Sequence, residues 1–169
     1  MGQLNLGNGA NFIGGSGGEL ADAPKGTMLQ YVEVAQSVIG PRFSTSSTSY
    51  VASSYKVDIA AKQANSLIVI QGSLSMSLQN NQSYGYIRCY KDGTSSDLYE
   101  AGFGTNTPSN MNFWAQPPFK FVYTPGDTNS HEYKLYLRVY GSATLYCGWS
   151  GNAGSTRNWN HMCAIEIAQ

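Results

Sequence analysis

Apolar side chains return at every second position along most of this chain, and that spacing admits β-strands and little else. Tyr133, Leu135, Leu137 and Val139 alternate with Lys134, Tyr136 and Arg138, as expected of a strand with one buried face and one wet face. Val32, Val34 and Val38 alternate within residues 28–39, and Tyr55-Lys56-Val57-Asp58-Ile59 does the same. Residues 67–78 read as one long strand with Ile68, Ile70, Leu74, Met76 and Leu78 on a common face. Gly72 falls inside it, where a glycine marks a bulge or a close backbone approach. No segment keeps a 3.6-residue apolar period over three turns.

Turn chemistry separates these runs. Lys91-Asp92-Gly93 divides residues 84–90 from 97–103, and Asp-Gly is a strong hairpin signal. Thr124-Pro125-Gly126-Asp127 suits a type II turn. Gln63-Ala64-Asn65-Ser66 reads as another turn, and the polar stretch 44–49 reads as a connection to Tyr50-Val51. Pro117-Pro118, between residues 112–114 and 119–123, confines its region to a sheet edge or a kink. Residues 145–149 and 163–167 complete about nine or ten strands, a number that points to an antiparallel β-sandwich or jelly roll. With 169 residues the chain can bury roughly 70% of its unfolded surface and needs no staples.

Residues 1–26 differ from the rest. They hold eight of the 19 glycines, including Gly14-Gly15-Ser16-Gly17-Gly18, and few apolar residues: Leu4, Leu6, Phe12, Ile13 and Leu20. Such a segment cannot bury enough apolar surface to fold alone. The division expected is therefore an extended arm over 1–26 and a sandwich over 27–169, with those five residues docking the arm onto neighbouring chains.

The composition disfavours several function classes. Ten basic and ten acidic residues cancel, which leaves no global field for nucleic acid or an anionic membrane. Only 12% of residues are charged, about half the usual share, and a surface of hydroxyls and amides suits association. No run approaches the apolar length of a membrane span. The N-terminus lacks a basic region followed by an apolar run, so synthesis in a reducing cytoplasm is expected. Cys89, Cys147 and Cys163 then read as buried free thiols, with a disulfide between two of them as the alternative.

Catalytic chemistry finds few anchors. His131 and His161 lie thirty residues apart, with no cysteine pair near either. His131, beside a turn, reads as solvated. No G-x-S-x-G elbow, phosphate loop or dinucleotide fingerprint occurs. Asp92, Asp97, Glu100, Asp127, Glu132 and Glu166 offer carboxylate pairs for glycoside cleavage, but aspartate in turns has its own backbone reason to be there. The reading is of a non-enzyme without metal or cofactor. Trp114, Trp149 and Trp159 fall in or near loops, where they serve either packing or a binding surface.

Four segments, in order, resemble a family of phage virion domains. Gly26-Thr27-Met28-Leu29-Gln30-Tyr31-Val32 is similar to its G-[ST]-[VI]-L-Q-V-V opening strand. Phe43-Ser44-Thr45-Ser46-Ser47-Thr48-Ser49-Tyr50-Val51 resembles its F-S-T-x-S-T-x-[FY]-V segment. Ala64-Asn65-Ser66-Leu67-Ile68-Val69-Ile70 is similar to x-N-S-K-I-L-V-x, with Leu67 in place of the lysine. Cys163-Ala164-Ile165-Glu166-Ile167-Ala168 resembles the closing M-x-[IV]-x-E-I-x strand. The family comprises small jelly rolls, related in shape to tumour necrosis factor, in capsid decoration proteins, head fibres and tail fibres.

The resemblance implies a homotrimer with the last strand near the threefold axis, its interface drawn from Tyr136, Arg138, Met162, Ala164 and Glu166. It also implies a virion location, with the major capsid protein or another virion protein as partner. A short arm on a knob fits a capsid decoration protein or short head fibre. The alternative is a tail fibre that contacts a host-surface glycan or protein through Trp114, Trp149 and Trp159.

Overall fold

The computed structural model describes residues 4–5, 11–12, 23–34, 42–79, 83–95, 100–105, 113–148 and 160–169. The fold is an all-β antiparallel sandwich of jelly-roll type. Its strands are β1 (Leu4–Asn5), β2 (Asn11–Phe12), β3 (Met28–Glu33), β4 (Phe43–Thr45), β5 (Val51–Ala60), β6 (Leu67–Ser73), β7 (Met76–Gln79), β8 (Ser83–Lys91), β9 (Thr94–Ser95), β10 (Ala101–Thr105), β11 (Phe113–Ala115), β12 (Pro118–Tyr123), β13 (Ser130–Tyr140), β14 (Thr144–Cys147) and β15 (His161–Ile167).

One layer has the order β10-β8-β13-β5, with β9 paired to β8. The other layer comes in two halves, β12-β6-β15-β3 and β11-β7-β14-β4. β6 leads into β7 across residues 74–75, where the chain bends out of one four-stranded sheet into the other. The bend interrupts the expected strand over 67–78 between Ser73 and Met76, so that run is two strands in different half-sheets. The Ser75 amide donates to Asn160 Oδ1 at 2.8 Å, and the Gly148 amide donates to the Ser75 carbonyl at 2.8 Å. The break thus has its own hydrogen-bond partners in place of the ladder. Three residues of the polar stretch's segment, Phe43–Thr45, also form a strand, because they pair with β14.

Two of the expected turns take the backbone that their residues favour. Asp92 and Gly93 have φ of 49° and 76°, the pair of positive values that a type I′ hairpin requires. Gly126 has φ of 87°. Pro118 opens β12 on a sheet edge, where its missing amide breaks no ladder. Gly72 is a close-approach position: a Cβ there would lie 2.0 Å from the His161 carbonyl oxygen on the neighbouring strand.

The core lies between the layers and follows the alternation. Tyr55, Val57 and Ile59 from β5 meet Leu135, Leu137 and Val139 from β13, and Ile68, Ile70 and Phe121 close it from the other layer. Residues 23–26 of the expected arm are stitched to the sandwich, with the Gly26 amide donating to Ala168 at 2.9 Å and Ala168 donating back to Thr27 at 2.9 Å. Further upstream, β1 pairs with β2, Leu4 opposite Phe12. Leu6, Ile13 and Leu20 lie outside the described residues.

Candidate functional site

An antiparallel sandwich presents two outer sheet faces, and here their chemistry differs sharply. On the half-sheet β12-β6-β15-β3 the outward residues form rows across the strands. Tyr31, Ile165, Val69 and Val122 stand opposite one another in one row, and Met28, Ile167 and Leu67 in the next. A third row, Glu33, Cys163, Gln71 and Lys120, bounds them with opposite charges on the two edge strands. The first row spans roughly 14 Å across four strands and the second roughly 10 Å across three. Met28, Tyr31 and Val122 are 60%, 48% and 42% exposed, whereas the wet face of such a sheet ordinarily carries polar residues. Partial desolvation, the Cys163 thiol and Glu33 push the Tyr31 hydroxyl above its ordinary value.

The other outer face, on β10-β8-β13-β5, is tyrosine-rich. Tyr84, Tyr86 and Tyr90 point outward from β8, and Tyr136 and Tyr140 from β13, with Tyr84 opposite Tyr140 and Tyr86 opposite Arg138. Tyr90 stacks on Tyr136 at 3.9 Å with 12° between the rings. Beside them, Glu100 accepts from Arg88 and Arg138 at 3.2 Å each and from the Tyr50 hydroxyl. Burial, then the Glu100 carboxylate, push Tyr50 up to about 12. Arg138 also lies 4.4 Å over the Tyr86 ring, a cation–π distance.

The five residues expected at a trimer interface do not share a surface. Tyr136 and Arg138 lie on the tyrosine face, while Met162, Ala164 and Glu166 are fully buried. Met162 and Ala164 belong to the hydrophobic core. Glu166 accepts from the amides of Lys62 (2.8 Å) and Gln63 (3.0 Å), from Ser66 Oγ (2.7 Å) and from Gln30 Nε2 (2.6 Å). These three serve the single chain's interior, and the outward members of the same strand are Cys163, Ile165 and Ile167. Trp114 lies on β11 opposite Ser77; Trp149 and Trp159 lie outside the described residues.

His131 departs from the solvated state expected for it. Its side chain is 12% exposed, with Nδ1 2.6 Å from Asp92 and Nε2 2.9 Å from Asp127. Asp127 stands four residues before His131, but Asp92 comes from a turn 39 residues upstream, which the local sequence could not disclose. Among the described residues no group of three or more histidine, cysteine or acidic side chains could hold a metal ion. The three cysteines are free and buried. Among the described residues no helix is long and apolar enough to cross a membrane.

No family model and no curated protein matches this chain. Among solved structures, the VP2 subviral particle of infectious bursal disease virus is similar at 15% identity, with a TM-score of 0.40, over 82% of this chain and 37% of that one. A structure of the Gx strain of the same virus is similar at 12% identity, with a TM-score of 0.37, over the same shares. The chain therefore spans little more than a third of those viral chains.

Proposed function

We propose that this chain is a structural protein of a bacteriophage virion, a homotrimeric jelly-roll knob that decorates the capsid or forms a short head fibre. The observation that carries this reading is the apolar face of β12-β6-β15-β3, with exposed Met28, Tyr31 and Val122 flanking Ile165 and Ile167. A contiguous outward apolar patch of this kind marks an interaction surface. The buried occupant is a second copy of the same chain. Glu33 lies on one edge strand of the sheet and Lys120 on the other, so head-to-tail packing around an axis brings opposite charges together and closes a ring. The low charge content supports association, and the four ordered segments that resemble virion domains supply the location. Residues 1–26 would fix the knob to the capsid protein.

Sedimentation velocity tests the assembly. The chain should run as a trimer, and Ile165→Asp should give a folded monomer. A wild-type monomer, or a trimer untouched by Ile165→Asp, overturns the interface. Deleting residues 1–25 should leave the trimer intact and abolish binding to purified capsids, and unchanged capsid binding overturns the role of the arm.

A further inference from the structure

The tyrosine face has a composition that its place in the fold does not require. Half of the chain's 12 tyrosines gather there, five on β8 and β13 and Tyr50 beside them. The opposing strand β10 carries glycine at the matching positions: Gly104 stands opposite Tyr84 and Gly102 opposite Tyr86. A Cβ at Gly104 would meet the Tyr84 ring at 2.1 Å, and one at Gly102 the Tyr86 ring at 3.1 Å. The Tyr84 and Tyr86 rings therefore lean over bare backbone and, with Tyr140, form an aromatic platform on this face. The Tyr84 ring centroid lies 6.5 Å from Tyr86 and 6.4 Å from Tyr140, with the rings tilted by 33° and 53° so that they form a faceted surface, and Tyr140 is 60% exposed.

The charges on this face leave a local remainder. Lys56 and Lys134 are matched by Asp58 and Glu132. Arg88 and Arg138 share the single carboxylate of Glu100, so among the described residues one positive charge is left over beside the platform. Their side chains stay 29% and 25% exposed, and each guanidinium carries five N–H donors. Flat aromatic rings accept the apolar faces of sugar rings, hydroxyls exchange hydrogen bonds with theirs, and a guanidinium takes a carboxylate in fork geometry.

We infer that this face binds an acidic glycan, its sugar rings on the Tyr84–Tyr86–Tyr140 platform and a carboxylate at Arg88 and Arg138. That the face stays open in the assembly rests on the proposed use of the opposite sheet for contact between copies.

The test titrates the full-length protein with two carboxylated glycans, an oligogalacturonate and an α2,8-linked oligosialate, by calorimetry. Methyl-esterified forms of both and polyglutamate serve as controls. The expected result is binding of at least one acidic glycan, one site per chain. It should weaken at least tenfold on esterification and at least fivefold in Tyr140→Ser and in Arg88→Gln. Absence of binding by both glycans, equal binding of the methyl esters, or equal binding of polyglutamate overturns the inference.

Sedimentation of the same samples separates the two proposals. If Tyr140→Ser dissociates the oligomer, this face is a contact between copies and the glycan site falls. If the chain is monomeric yet binds an acidic glycan with the expected discrimination, the site stands and the proposed trimer falls.

Discussion

His131 Nδ1 lies 2.6 Å from the Asp92 carboxylate, and this contact ties the start of β13 to the β8–β9 turn. The other ring nitrogen meets Asp127, in the loop that leaves β12. Burial pushes the Asp92 carboxyl up, but the Glu132 amide and His131 outweigh it and hold it below its ordinary value of 3.8. The Asn129 amide, then His131, lower Asp127 in the same way.

A carboxyl depressed on folding adds stability while it is ionised. The contribution of this clamp is therefore complete above the ordinary carboxyl value of 3.8 and is lost as pH falls through the folded values. Asp92→Asn should be less stable than the wild type at pH 7. The gap should close in urea titrations repeated at successively lower pH down to about 3.

Glu166 makes a different use of a carboxylate, as the fully buried anchor of the 62–66 turn. Its donors, two amides, a hydroxyl and a side-chain amide, are all neutral. Glu166→Gln turns one acceptor into a donor facing other donors and should cost about 2 to 4 kcal/mol. Glu166→Ala leaves the whole donor set unmet and should cost more. Denaturant unfolding with an unchanged m-value would measure both.

The sandwich was legible because alternation survives wherever one face is wet, as along Tyr133–Val139. It failed where both parities look alike. In β15 the odd positions Cys163, Ile165 and Ile167 are as apolar as Met162 and Ala164, and Glu166 resembles an outward residue because its donors arrive from residues 30 and 62–66. A shift of one residue exchanges the two faces of a strand, so the last strand was identified while its outward side chains were not.

The bend at Ser75 was hidden for a related reason. Ile68, Ile70, Leu74, Met76 and Leu78 keep their parity through it, and the groups that hold it, Asn160 and Gly148, are distant in sequence. The tyrosine face gave no one-dimensional signal, because its rings gather only when β8 and β13 pair.

Two glycines should respond to alanine in opposite degrees. At Gly72 the new methyl would press on the backbone carbonyl of His161 at 2.0 Å, and β15 cannot yield without breaking its ladder to β6. Gly72→Ala should cost about 3 kcal/mol or more, or prevent folding. At Gly102 the nearest atoms belong to the Tyr86 ring, at 3.1 Å, and a side chain on an open face can swing aside. Gly102→Ala should cost about 1 kcal/mol or less. Thermal unfolding of the two variants side by side would show whether backbone or side-chain contact sets the cost.

The buried thiols should report on unfolding. Cys89 and Cys147 are 0% and 1% exposed within the core; burial pushes the Cys89 thiol up to about 12 and raises Cys147 as well. Since the thiolate is the reactive form, neither should be alkylated in the native protein at pH 8. Their labelling by iodoacetamide should then follow the opening of the sandwich, accelerating with denaturant in step with the unfolding rate. Cys163 is 1% exposed but sits on the outward apolar face, in the row next to Ile165. That burial is reached within the single chain, so its labelling should follow the opening of the sandwich too. In the folded Ile165→Asp monomer Cys163 should react no faster than in the wild type, and a tenfold acceleration would show that contact between copies protects it.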